Sequence, residues 1–130
     1  MFGPRPGSAP AGLGMCSARA NGWVSVGPVI VAIVRFPVPG GLTPEGAREA
    51  FAASAPSYQD LPGLLRKYYL RDADGAGGGG VYLWESRAAA DAVYTDEWRQ
   101  RLHDRYGAEP QVDYFDCPVI VEPEGITVPE

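Results

Sequence analysis

The sequence is short of cysteine, histidine, long apolar runs and positive charge, and each shortage excludes a class of protein. Its two cysteines, Cys16 and Cys117, lie far apart, which argues against a structural disulfide and for a reducing cytoplasm. A single histidine, His103, cannot assemble the usual zinc sites. No apolar run approaches the ~20 residues that cross a bilayer. The formal charge of −5 leaves no basic patch for nucleic acid or for an anionic membrane.

Motifs that hold nucleotide cofactors are missing as well. No Gly-x-x-x-x-Gly-Lys-Ser/Thr or Gly-x-Gly-x-x-Gly element opens a helix after a strand. The glycines at 77–80 lead into a strand instead, where they have no helix N-terminus with which to cradle a phosphate. We therefore expect a protein with neither a metal nor a bound cofactor.

What the sequence contains is sufficient for one domain with a core. It has 130 residues, of which 45% are hydrophobic and 21% charged. Residues 1–27 are rich in Gly, Pro and Ala, which predicts a flexible segment, and Met15 is a second candidate for the first residue. We expect the domain to span residues 28–123 and residues 124–130 to form a short tail.

Local patterns predict the elements of this domain. The β-branched run at 28–36 predicts a buried strand, and Thr43 is suited to cap a helix that ends near Pro56. Further strands are predicted at 64–71, 79–84 and 112–121, and helices capped by Ser86 and Thr95 precede the last of them, ending at Gly107. The order strand, helix, strand, strand, helix, strand predicts a ferredoxin-like α+β fold, a βαββαβ antiparallel sheet with its helices on one face.

The strand that ends in Val-Tyr-Leu-Trp carries two large aromatic side chains on one face. Because side chains alternate along a strand, Tyr82 and Trp84 share one face, and Val81 and Leu83 share the other. We expect Tyr82 and Trp84 on the face that the helices leave open. A monomer would then expose a larger apolar patch than soluble proteins normally show, and pairing of two sheets in a homodimer would cover it.

Three segments resemble the YdhR-like family of proposed monooxygenases, which belongs to the dimeric α+β barrel superfamily. Pro-Gly-Leu-Leu-Arg-Lys at 62–67 opens the second strand, Gly-Gly-Val-Tyr-Leu-Trp at 79–84 forms the third, and Phe115-Asp116 lies in the last. The resemblance covers roughly residues 28–123. It implies a homodimer in which two sheets pack face to face as a dimeric α+β barrel. Each subunit then holds a pocket, either between its sheet and helices or within the barrel.

The resemblance also implies a chemistry. Related members without cofactors oxidise electron-rich phenolic or anthrone-like substrates with molecular oxygen, and the substrate supplies the electrons. The chain is thereby expected to be a cofactor-independent monooxygenase that acts on a small aromatic or polyketide-like substrate. Its tasks would be to bind a planar aromatic, to help deprotonate it, and to stabilise the anion while excluding water.

Lys67, Tyr82 and Trp84 are the catalytic candidates. The indole of Trp84 can stack on a planar ligand, the phenol of Tyr82 can donate to a developing oxyanion, and the ammonium of Lys67 can pair with a phenolate. Tyr69, together with Tyr114 and Asp116, is a candidate for binding the substrate.

The orientation of the second strand follows from its alternation. Leu64, Tyr68 and Leu70 form its more apolar face, which we expect to meet the helices. Lys67 and Tyr69 would then point to the barrel side.

The same residues also suit purely structural roles. Tyr82 and Trp84 fit a core or a dimer interface equally well, and Lys67 can run its stem along the sheet with its ammonium in water. His103 lies among charged residues, which predicts a solvated helix face. Two alternative functions stay open. One is a non-catalytic dimeric module that binds a small hydrophobic molecule, and the other is an oxygen-independent cyclase or isomerase that uses the same pocket.

Overall fold

The computed structural model describes residues 19–20 and 23–130. Most of the expected flexible segment, including Met15 and Cys16, lies outside the described residues. The strands are β1 (Arg19–Ala20), β2 (Trp23–Val26), β3 (Ile30–Pro37), β4 (Leu64–Arg71), β5 (Gly77–Trp84), β6 (Gln111–Asp116), β7 (Ile120–Glu122) and β8 (Gly125–Pro129). The helices are α1 (Pro44–Gln59), α2 (Arg87–Val93) and α3 (Asp96–Tyr106).

The main sheet has the order β4-β5-β3-β6, and every neighbouring pair in it is antiparallel. In chain order these strands are the second, third, first and fourth of the βαββαβ unit, which is the ferredoxin-like arrangement. The helices pack on one face of this sheet, where Val34, Trp84 and Trp98 are among the most buried side chains. The predicted α+β fold with its helices on one face is confirmed.

The predicted helix caps are present. The hydroxyl of Thr43 accepts from the backbone N–H of Gly46, and the hydroxyl of Thr95 accepts from the N–H of Trp98. Ser86 caps α2 in the same way. Gly107, with φ at 88°, ends α3 in the left-handed conformation that glycine adopts without strain.

The C-terminal part differs from the expectation of one strand at 112–121 followed by a tail. The strand β6 ends at Asp116, and Pro118, which has no N–H to donate, lies in the break before β7. The strand β8 forms within the expected tail and pairs antiparallel with β7 and parallel with β2. A second, smaller sheet of order β1-β2-β8-β7 results.

The predicted orientation of Tyr82 and Trp84 is wrong. Both side chains lie under the helices rather than on the open face of the main sheet, with exposures of 3% and 0%. The indole N–H of Trp84 donates to the hydroxyl of Tyr94 on α2's C-terminal cap, at 3.1 Å. Large rings remove the most apolar area from water between sheet and helices, so the smaller Val81 and Leu83 occupy the other face.

The predicted orientation of β4 is also wrong, and a β-bulge is the cause. Leu64 pairs with Trp84 on the helix side as expected, but the register shifts between Leu64 and Arg66. One extra residue in a strand moves every later side chain to the opposite face. Lys67 therefore pairs with Tyr82 and points toward the helices, whereas Tyr68 is 51% exposed on the other side.

The face of the main sheet opposite the helices, here called the open face, is only partly covered. Near one end, Leu65 and Leu83 pack with Val29 and with Ile120 of β7. Elsewhere on this face three large apolar side chains are exposed, namely Tyr68 and Leu70 on the edge strand β4 and Phe115 on the opposite edge strand β6.

Candidate functional site

A cavity of about 810 Å³ lies between the main sheet and the helices. This volume is within the range of pockets that hold small organic ligands. Its walls come from β3, β4 and β5 on one side and from α1, α2 and α3 on the other. Seven aromatic side chains line it: Phe36, Phe51, Tyr58, Tyr69, Tyr82, Trp98 and Tyr106.

Lys67 is the charged side chain at the sheet side of this cavity. Its Nζ lies 3.4 Å from the ring centroid of Tyr58, 3.7 Å from that of Tyr69 and 4.6 Å from that of Tyr82. We call these three rings the aromatic cage. Their π faces attract a cation, so the cage is a partial substitute for the water that an ammonium loses on burial.

Burial lowers the pKa of Lys67 to about 7. None of the carboxylates in the described part of the chain forms an ion pair with it. A carboxylate nearby would favour the charged ammonium form. Without one, no ion pair offsets the free energy that the ammonium loses when it leaves water. Near neutral pH, Lys67 is thus able to accept a proton as well as to donate one.

The tyrosines of the cage are held by hydrogen bonds. The indole N–H of Trp98 donates to the hydroxyl of Tyr58 at 3.0 Å, and the hydroxyls of Tyr69 and Ser54 lie 2.7 Å apart. Burial, with a smaller contribution from Tyr58, raises the pKa of Tyr82 well above its usual value. Burial also raises the pKa of Tyr69, so the phenols of Tyr69 and Tyr82 stay protonated at neutral pH and can donate to a ligand oxygen.

The structure brings together three of the six predicted site residues. Lys67, Tyr69 and Tyr82 line the cavity. Trp84 stacks edge-on against Tyr94 behind this wall, with a ring centroid distance of 5.8 Å, and is not among the lining residues.

The other two predicted residues lie elsewhere on the helix side of the sheet. The ring of Tyr114 lies 6.2 Å from that of Tyr94, measured between centroids. The guanidinium of Arg87 lies 3.5 Å from the centroid of the Tyr114 ring. Asp116, two residues along β6, is exposed. Neither side chain lines the cavity.

Sequence reasoning missed the contribution of α1. Phe51, Ser54 and Tyr58 follow one another at spacings of three and four, which places them on one face of the helix, and all three line the cavity. A second signal was available in the composition. Lys67 is the only lysine among the 11 basic residues of the chain, the others being arginine.

No group of three or more His, Cys, Asp and Glu side chains that could hold a metal occurs in the described part of the chain. His103 is exposed on α3, with its Nδ1 3.7 Å from a carboxylate oxygen of Asp104. Among the described helices, none has the length and apolar content needed to cross a membrane.

A family model described as "Putative mono-oxygenase ydhR" matches residues 31–118. The chain belongs to the YdhR family. The matched range begins in β3 and ends just after β6, so it contains every element that lines the cavity. A search of curated proteins finds no match.

Solved structures similar to this YdhR-family chain share its fold. A monooxygenase from the gene ActVA-Orf6 of Streptomyces coelicolor, in complex with nanaomycin D, is 24% identical, with a TM-score of 0.55 over 74% of this chain and 93% of that one. SnoaB, a cofactor-independent oxygenase from Streptomyces nogalater, is 19% identical, with a TM-score of 0.52 over 69% and 93%. NE2512, a protein of unknown function from Nitrosomonas europaea, is 14% identical, with a TM-score of 0.58 over 74% and 95%. These likenesses confirm the ferredoxin-like fold.

Proposed function

We propose that this YdhR-family protein is a cofactor-independent monooxygenase that oxidises a small, electron-rich aromatic or polyketide-like molecule in the cavity between sheet and helices. The observation that carries the proposal is the position of Lys67, whose amine has no carboxylate partner among the described residues and borders an aromatic cavity of about 810 Å³. Two similar structures support the class of chemistry, since one is described as a cofactor-independent oxygenase and the other as a monooxygenase bound to nanaomycin D.

The first step is removal of a proton from the substrate. Lys67 accepts it, because burial keeps a substantial fraction of the amine neutral near pH 7. The ammonium that forms faces the rings of the aromatic cage and pairs with the new substrate anion. Charge separation within an apolar cavity is thereby confined to one adjacent ion pair, which costs less than two isolated charges.

The second step is oxidation of the anion by molecular oxygen. The substrate anion gives up electrons to oxygen, a carbon–oxygen bond forms, and the O–O bond breaks. A CH₂ group of the substrate becomes a carbonyl, one oxygen atom enters that carbonyl, and the other leaves as water. The substrate is the reductant, so this balance needs no flavin or metal.

The remaining site residues differ in whether they line the cavity. We assign Tyr82 and Tyr69 to contact with the substrate, where their phenols donate to its oxygen atoms. Trp84, buried behind Tyr82, keeps that wall in place. Tyr114 and Asp116 lie outside the cavity, and we assign them no contact with the substrate.

Oxygen consumption with anthrone- or quinol-type compounds tests the proposal. The protein is expected to accelerate oxygen uptake above the rate in buffer. With an anthrone, whose CH₂ group becomes the carbonyl, ¹⁸O₂ is expected to leave one labelled atom in the product and one in water. Saturable binding without oxygen uptake would contradict the proposal and indicate a binding module. Product that forms under anaerobic conditions would indicate a cyclase or isomerase.

We further propose that the protein is a homodimer that pairs through its open face. The exposed Tyr68 and Leu70 on β4 and Phe115 on β6 support this pairing, because they leave large apolar side chains in water at both edges of a face that a second sheet would cover. Sedimentation velocity at micromolar concentration is expected to give twice the chain mass. Leu70→Glu is expected to give monomers, whereas Ala53→Glu on the exposed side of α1 is the control that stays dimeric. A monomeric wild type would overturn the pairing.

A reducing cytoplasm is the compartment we propose, in keeping with the free Cys117.

A further inference from the structure

One stripe of α3 faces the cavity and contains two arginines. Trp98, Arg101, Leu102, Arg105 and Tyr106 follow one another at helical spacing, and all five line the cavity. Apolar residues are expected on a helix face that packs toward a sheet. Arg101 and Arg105 are exposed, which places their guanidinium groups at the solvent side of the cavity, its mouth.

Neither arginine at the mouth is neutralised by the described part of the chain. No carboxylate there forms an ion pair with Arg101 or Arg105, whereas Arg87 pairs with Asp91 at 3.1 Å. Asp104 also lines the mouth and keeps its negative charge, but its carboxylate accepts from the side-chain amide of Gln100 at 2.8 Å and pairs with neither arginine, so the two guanidinium groups outnumber it. The mouth therefore offers two cations whose hydrogen-bond donors are available to a ligand.

The charge of Arg105 acts inside the cavity. Burial raises the pKa of Tyr69 and of Tyr106, and the guanidinium of Arg105 opposes that rise in both. The chain as a whole carries a formal charge of −5, which would repel an anion at long range. A local pair of cations at an otherwise aromatic cavity thus distinguishes this mouth from the rest of the surface.

From this arrangement we infer that the cavity selects aromatic carboxylic acids, with the carboxylate bound by Arg101 and Arg105 at the mouth and the ring extending toward Lys67. Guanidinium groups match the two oxygens of a carboxylate with parallel N–H donors. The aromatic walls then receive the ring, and the acidic O–H or C–H of the same molecule reaches the amine. The inference deepens the proposed function by naming its substrate class, and it rests on that function only in using the same cavity.

A pair of probes that differ only in the carboxylate tests this inference. We suggest 1,4-dihydroxy-2-naphthoic acid and its methyl ester, with Kd measured under nitrogen from the quenching of tryptophan fluorescence, since Trp98 lines the cavity. The wild type is expected to bind the acid about tenfold more tightly than the ester at low salt, a difference typical of one charge-assisted hydrogen bond. Arg101→Gln with Arg105→Gln is expected to remove that preference without changing the Kd of the ester. Arg48→Gln, an exposed position on α1 outside the cavity, is expected to retain it.

The outcomes separate this inference from the proposed function. Equal Kd values for acid and ester in the wild type would overturn the carboxylate site, even if both compounds consume oxygen. A preference that persists in the double variant, or a failure of both probes to bind, would overturn it too. A preference that depends on the two arginines, in a protein that takes up no oxygen with the anthrone-type substrates, would support the carboxylate site and contradict the monooxygenase.

Discussion

Lys67→Met is expected to lower kcat/KM for oxygen-dependent turnover by about 100-fold or more, the range over which a general base contributes to catalysis. Methionine has a similar length and fits among the rings of the cage, but it cannot accept a proton. Arg48→Met, which removes one positive charge from an exposed position on α1, is the control and is expected to leave turnover unchanged. A Lys67→Met protein with full turnover would remove the amine from the mechanism.

The pH dependence gives this prediction a signature that a purely structural role would not produce. Because Lys67 must be neutral to accept the proton, kcat/KM is expected to rise with pH, reach half its maximum near the pKa of about 7, and then level off. The residual activity of Lys67→Met is expected to lack that rise. A wild-type profile that falls through pH 7 would show that the ammonium is the active form.

Lys67→Met is expected to raise the stability of the fold at low pH although it lowers activity. The pKa of Lys67 is depressed in the folded state from its ordinary value of about 10.4 to about 7, so the unfolded chain holds more protons between these values and folding gains stability as the pH rises. Below pH 7 both states are protonated and the full cost of burying the ammonium applies. Lys67→Met removes that cost, less the attraction of the rings, and is expected to raise the free energy of unfolding at pH 6 by about 1 kcal/mol. Urea denaturation at pH 6 and at pH 10 measures the difference, which is expected to vanish at the higher pH.

Trp84→Ala is expected to lower the free energy of unfolding by about 3–5 kcal/mol, because it removes a fully buried indole and leaves a cavity. The hydroxyl of Tyr94 also loses the donor that it has at 3.1 Å in the native protein. Chemical denaturation measures this loss directly. A cost below about 1 kcal/mol would contradict the description of Trp84 as a central part of the core.

Two phenylalanine variants separate the support of the wall from contact with the ligand. Trp84→Phe and Trp98→Phe each remove an indole N–H that donates to a tyrosine hydroxyl, but only Trp98 lines the cavity. We expect Trp98→Phe to weaken ligand binding by about tenfold, since Tyr58 loses its anchor and the ligand loses contact area, and Trp84→Phe to change Kd less than twofold. The opposite order would show that Trp84 contacts the ligand.

The elements of the βαββαβ unit were largely predictable, since they depend on short-range chemistry, although α1 runs past Pro56 to Gln59 and the second sheet was missed. Thr43, Ser86 and Thr95 cap helices because a side-chain oxygen two or three residues before a free N–H satisfies it whatever the rest of the chain does. Gly107 ends α3 for a similarly local reason. The ferredoxin-like order followed from these elements, and the resemblance to the YdhR family followed from the segments that they contain.

The faces of the strands were not predictable, because each depends on a partner that is distant in sequence. One bulge at the start of β4 reverses the side of Lys67 and every later residue in the strand, and nothing in Leu-Leu-Arg-Lys marks it. Tyr82 packs against Tyr58 of α1, and Trp84 packs against Tyr94 at the end of α2, so their face depends on helices outside the strand itself.

The sequence by itself determined the elements of the βαββαβ unit, the fold class and the family, since caps, turns and alternation act within a few residues. Only the tertiary structure decided that the single lysine lies among three tyrosine rings and that two arginines stand at the mouth of the same cavity. These side chains come from β4, β5, α1 and α3, and the desolvation that lowers the pKa of Lys67 exists only when those elements pack together.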